Sequence, residues 1–142
     1  MPLQIFPTPQ DAEAAFYEAL ERTDLELMMA VWSEDEEIVC VHPGGPRLAG
    51  QDQVRESWRQ IFASGAAARL HVTKQVAISG AMVAVHSVHE NFSGPGESGP
   101  MQAVVATNVY LRTAAGWRMV AHHGSPAPGT AEPPPASPKI LH

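Results

Sequence analysis

Seven histidines in 142 residues are the first chemical feature of this chain, because imidazole can both give and take a proton near neutral pH. Their spacing limits what they can do together. His86-Ser87-Val88-His89 and His122-His123 both lie in stretches that alternate like strands, which points the two rings of each pair to opposite faces. Neither pair can chelate an ion. A zinc site would need His42, His86 and His123 to converge from three strands, and no adjacent carboxylate pattern supports that. No metal and no cofactor is expected. Cys40 shares a strand face with His42, but a lone strand cysteine reads as a small inert hydrophobe and receives no role.

The elements that must carry these groups follow from periodicity. Thr8 can cap a helix in which Pro9 suits the first position, Asp11 favours the N-terminal dipole, and Ala12, Ala15, Phe16, Ala19 and Leu20 repeat at helical spacing. Asp24 caps a shorter helix with Leu25, Met28, Met29 and Trp32 on its apolar side, followed by the acidic run Ser33 to Glu37. Ile38 to His42 is a short strand that Pro43-Gly44-Gly45-Pro46 stops, leading into a loop. Asp52 can cap a third helix with Val54, Trp58, Ile61 and Phe62 on one face.

From Leu70 the period changes to two. Leu70, Val72, Val76 and Ile78 alternate with polar or small residues up to the turn at Ser79-Gly80, and a strand from Met82 to Phe92 follows. Met82, Ala84, His86 and Val88 share one face of it, Val83, Val85, Ser87 and His89 the other. After the Ser93 to Pro100 loop, Met101 to Thr113 and Trp117 to His123 form a hairpin about Ala114-Ala115-Gly116. If that hairpin pairs Thr113 with Gly116, Asn108 shares a face with His123, which is therefore preferred to His122 as an inward group. Helices followed by a meander predict an α+β fold over residues 1–125. The prolines from Pro126 onward can neither join a central strand nor continue a helix, so 126–142 reads as a proline-rich tail, held down through Ile140 and Leu141.

Composition excludes several functions. Nine Lys and Arg against fifteen Asp and Glu give a net charge of −6, unsuited to a nucleic-acid backbone. The N-terminus has neither the basic nor the apolar region of a signal peptide, no apolar run is long enough to span a bilayer, and one cysteine allows no internal disulfide. A soluble cytoplasmic protein is expected, with no nucleic acid and no membrane as partner.

Phe16-Tyr17-Glu18-Ala19-Leu20 with Asp24-Leu25, Trp32-Ser33-Glu34-Asp35, His42-Pro43 with Gly50, and Gly116-Trp117-Arg118-Met119-Val120 resemble the landmarks of the NTF2-like superfamily, especially its SnoaL-like and kinase-association-domain-like members. The resemblance covers about Asp11 to Ser125 and implies a cone in which three N-terminal helices close over a strongly curved antiparallel sheet. Ketosteroid isomerases of that superfamily use a carboxylate base at the end of the first strand, and here that position is similar to His42. A histidine there leaves base catalysis open. The donor on the long fourth strand falls on Asn108, whose amide could bind a carbonyl oxygen or a developing enolate. The other donor, a tyrosine of the first helix, aligns with Phe16, with Tyr17 about 100° away around the helix. The loss of that phenol argues against ketosteroid isomerase activity itself.

The expected site is thus His42 and Asn108 as acid/base and oxygen-orienting groups, with Phe16, Trp32, Trp58, Met82, His86 and His123 lining a cavity for a flat, mostly apolar small molecule. Three functions follow: a cofactor-free isomerase or lyase, a non-catalytic binder of a hydrophobic metabolite, or an oligomerisation module. The last would form a homodimer through Val83, Val85, Val105, Val109 and Leu111 on the outer sheet face.

Overall fold

The computed structural model describes residues 5–35, 37–65, 69–93 and 100–133. Two helices open the chain, α1 (Pro9–Arg22) and α2 (Leu25–Val31). The Thr8 hydroxyl accepts from the Asp11 amide and the Asp24 carboxylate from the Leu27 amide, so both expected caps satisfy a first-turn N–H. The third helix, α3 (Gln51–Ala63), starts differently. Gly50, at φ 86°, stands at its cap without a side-chain bond, and Asp52 is the second residue of the first turn instead of the cap.

The strands are β1 (Val39–Val41), β2 (Arg47–Ala49), β3 (Arg69–Ser79), β4 (Val83–Ser93), β5 (Pro100–Thr113) and β6 (Gly116–Thr130). Among the described residues they form one six-stranded curved sheet in the order β2-β1-β6-β5-β4-β3. The expected loop after His42 contains β2, which the Pro43 to Pro46 turn folds back onto β1. The sheet is mixed where a purely antiparallel one was expected, because β1 runs parallel to β6.

The β5–β6 hairpin pairs Thr113 with Gly116 as expected, and Gly116 is obligatory there. Its φ is 92°, and a Cβ would lie 2.8 Å from the Phe6 carbonyl oxygen, closer than side chains approach backbone. Further along, the register shifts: Tyr110 faces Met119, but Val109 faces Ala121, leaving Val120 as a bulge. At its far end β6 continues through Pro126 and Pro128 to Thr130, pairing with β5. The reading of 126 onward as wholly tail therefore fails for its first five residues. The ladder with β5 survives both prolines because β1 ends opposite His123, so β6 is an edge strand beyond it. Ile140 and Leu141 lie outside the described residues.

The core lies between the helices and the inner sheet face, around Phe16, Met28, Trp32, Val54, Trp58 and Met119, all at most 2% exposed. Burying such side chains contributes about 1.5–3 kcal/mol each. No described helix is long and apolar enough to cross a membrane.

Candidate functional site

Strand alternation and helical spacing bring an unusual set of side chains into this core. Glu13 and Tyr17 are one helical turn apart on the inner face of α1; His86 and Glu90 are separated by two alternations on β4; Asn108 and Tyr110 follow on β5, and His122 on β6. All seven are buried. Polar groups so placed are costly unless bonded, and nearly all of these are.

Glu13 is one hub. Its Oε2 accepts from the Tyr110 hydroxyl at 2.7 Å, from His86 Nδ1 at 2.9 Å and from Asn108 Nδ2 at 3.2 Å, while its Oε1 accepts from Gln75. Four donors thus converge on one carboxyl group. Asn108 is the second hub. Its Nδ2 also donates to the Tyr17 hydroxyl at 2.9 Å, and its Oδ1 accepts from His122 Nδ1 at 2.6 Å. That bond fixes the proton of His122 on Nδ1 and leaves Nε2 as a lone pair.

Tyr17 in turn donates to Glu90 Oε2 at 2.7 Å. His122 Nε2 lies 4.0 Å from the same oxygen, too far for a hydrogen bond but close enough for the two charge states to matter to each other. Burial pushes the Glu90 carboxyl up to about 7; the Tyr17 hydroxyl partly offsets this and the Glu13 charge adds to it. Burial also pushes His122 down to about 3, with His42 and His123 contributing. The pair is thus a neutral imidazole beside a carboxyl that is half protonated near neutral pH. Tyr17 and Tyr110 are raised well above the usual phenol range, chiefly by burial, and stay protonated.

His42 follows β1 at the edge of the same core. Its Nε2 lies 3.0 Å from Ser57 Oγ, and the Ser57 hydroxyl itself donates to the Val54 carbonyl. The serine oxygen therefore accepts from Nε2–H, and Nδ1 keeps the lone pair. The ring meets Trp58 edge-on at 4.7 Å, and burial lowers its pKa below 6.5, so it is a neutral base at neutral pH. Cys40 Sγ is 3.8 Å from Nε2, with its thiol pushed up to about 12 by burial, which keeps it inert.

Set against the expected site, Phe16, Trp32, Trp58, His86 and Asn108 are all in the core and His42 stands at its edge. Phe16 contacts the rings of Trp32, Trp58 and His122 at centroid distances of 6.5, 5.7 and 4.9 Å, so the aromatic wall packs largely on itself. Three buried nitrogens, Trp32 Nε1, Trp58 Nε1 and His86 Nε2, have no hydrogen-bond partner among the described residues.

Two expected residues are misplaced. His123 is exposed and His122 faces Asn108, because the Val120 bulge inverts the alternation that the unbroken hairpin register implies. Met82 precedes β4 in the turn and is 58% exposed, so it lines nothing. Asn108 also differs in role: both contacts of its Nδ2 are internal, which makes it an organiser of Tyr17 and His122 and not a free donor. A phenol does enter the core one position after Phe16, at Tyr17, with its hydroxyl proton donated to Glu90.

Glu13, Glu90 and Tyr110 went unforeseen, and His122 was weighed but passed over for His123. The signal for Glu13 was its spacing of three and four from Phe16 and Tyr17, and for Glu90 its continuation of the Ala84, His86, Val88 face. Among the described residues, no three His, Cys, Asp or Glu side chains are grouped so as to hold a metal ion.

Residues 10–129 match the SnoaL-like domain. The chain belongs to that family. A Thiobacillus denitrificans protein, provisionally described as a calcium/calmodulin-dependent protein kinase type II association domain, is 44% identical, with a TM-score of 0.81 over 87% of this chain and 98% of that one. A Streptomyces avermitilis protein, provisionally described as a dehydratase of the NTF2-like family, is 31% identical, with a TM-score of 0.73 over 83% and 93% of the two chains. A Nostoc punctiforme protein of unknown function with a cystatin-like fold has a TM-score of 0.72 over 88% and 97%, at 13% identity, and so shares the fold alone. No curated protein matches.

Proposed function

We propose that this SnoaL-like chain carries out cofactor-free acid–base chemistry, of lyase or isomerase type, on a small, largely apolar molecule bearing oxygen. The observation that supports it is the buried set Tyr17, Glu90, Asn108 and His122 with His42 at its edge: groups that differ widely in proton affinity, gathered in an otherwise apolar interior. The description of the Streptomyces relative as a dehydratase points the same way.

In an elimination, the His42 lone pair takes the proton from the carbon beside a carbonyl and the carbon–carbon double bond forms. The carbon–oxygen bond breaks, and Glu90 in its acid form protonates the departing hydroxyl, releasing water. Solvent then carries the His42 proton back to the Glu90 carboxylate. An isomerisation would return the proton to another carbon.

The test is a panel of β-hydroxy ketones, 3-hydroxycyclohexanone first, followed by the ultraviolet absorbance of the enone. Turnover should fall about 10²-fold or more in His42→Ala. An unchanged rate removes His42 from the chemistry, and binding without turnover in the unaltered protein favours a non-catalytic binder.

A second reading, self-association, has its own support. Val76 and Ile78 are 61% and 68% exposed, Val83 is 43% exposed, and Val85, Val105, Val109 and Leu111 are half-buried on the same outer face. The Thiobacillus relative is described as an association domain. A homodimer through this face would leave one interior site per subunit, so the two readings coexist.

A further inference from the structure

Among the described residues the interior contains two carboxyl groups, Glu13 and Glu90, and the bonded network that joins them contains no lysine or arginine. The buried Arg118 is committed elsewhere, donating to the Ala30 carbonyl and lying 5.3 Å over the Phe6 ring. Charge is handled differently at the two carboxyls. Among the described residues Glu13 has four side-chain donors, whereas Glu90 has the single side-chain donor Tyr17 and a neutral imidazole 4.0 Å away.

An anion brought beside Glu90 would lose water and meet a like charge with no lysine or arginine bonded to Glu90 among the described residues. A hydroxyl or carbonyl suffers neither penalty, and a hydroxyl suits both states of Glu90, donating to the carboxylate or accepting from the acid. An ammonium group gains little at Glu13, whose oxygens already accept four hydrogen bonds.

We propose that the interior site selects uncharged, hydroxyl- or carbonyl-bearing ring compounds and rejects carboxylates, with Glu90 as the residue that enforces the rejection. This deepens the small-molecule reading above and is independent of turnover.

Two matched sets of probes test it by isothermal titration calorimetry on the intact chain. One set is cyclohexylmethanol, cyclohexanecarboxylate and cyclohexylmethylammonium; the other is 2-naphthylmethanol, 2-naphthoate and 2-naphthylmethylammonium. Within at least one set the alcohol should bind, the carboxylate at least about tenfold more weakly, and the ammonium also more weakly than the alcohol.

Glu90→Gln should close the alcohol–carboxylate gap by about tenfold, and Glu90→Asp should keep the gap. Equal binding of alcohol and carboxylate overturns the proposal, as does tightest binding of the ammonium, a gap untouched by Glu90→Gln, or no binding by any of the six. Should circular dichroism show Glu90→Gln unfolded, the gap in the unaltered protein and in Glu90→Asp decides. Loss of selectivity with turnover retained would sink this inference alone; selectivity retained with no turnover would sink only the catalytic reading.

Discussion

The two faces of β4 and β5 reverse the usual arrangement of a one-sided sheet. The buried face carries His86, Glu90, Asn108 and Tyr110, and the outward face carries Val83, Val85, Val105, Val109 and Leu111. A sheet built only for stability would place the aliphatic row inside, where burial is favourable, and the polar row in water. The inner face also carries Ala84, Val88, Val104 and Ala106, so what burial of apolar surface leaves unexplained is the polar set among them. The polar interior is retained at a stability cost, and the aliphatic exterior is left where a second surface can cover it.

The sharpest way to break the comparison is to empty the inner hub. Glu13→Leu strips His86 Nδ1, the Tyr110 hydroxyl and the Gln75 amide of their acceptor, and should lower unfolding stability by about 3–5 kcal/mol in urea denaturation. A loss below about 1 kcal/mol would mean that the network is not a cooperative unit.

This hub also marks the limit of what was legible. The caps at Thr8 and Asp24, the helical stripes, the long strands and the Thr113–Gly116 pairing follow from local rules of spacing and turn chemistry, and the sequence carries them openly. Tertiary context decides the rest. A glutamate in an acidic helix reads as a solvated charge until the donors that surround it are known, and these come from β3, β4 and β5, up to 97 positions away. His122 was hidden for a different reason. One bulge at Val120 reverses every side chain beyond it, and no turn residue announces that bulge.

A second prediction separates the charge states inside. Glu90 has a folded pKa of about 7 against a usual 4.5, so its contribution is fully present below 4.5 and is lost as pH rises through 7. His122, held at about 3 against 6.5, contributes in the opposite sense: its share is present above 6.5 and lost as pH falls through 3. The two slopes oppose each other between 4.5 and 6.5, where these two groups together should leave stability nearly flat. Glu90→Gln removes one of them. Stability of that variant should climb with pH between 4.5 and 6.5 by about 1.4 kcal/mol per pH unit, a total on the order of 2–3 kcal/mol across the window. A flat profile in the variant would show that His122 is not held neutral by the fold.

The smallest effect on folding belongs to the outer face. Ile78→Lys should change subunit stability by no more than about 0.5 kcal/mol, because the side chain is already mostly in water. The same substitution should halve the mass seen by light scattering at micromolar concentration if two copies meet there. A monomeric unaltered protein would remove the association reading and leave the inner face as the sole functional surface.

Pro126 and Pro128 restrict what such an assembly can become. They leave the stretch of β6 beyond the end of β1 without two of its N–H donors. Strand addition is blocked along that stretch, and the outer edges of the described sheet are β2 and β3.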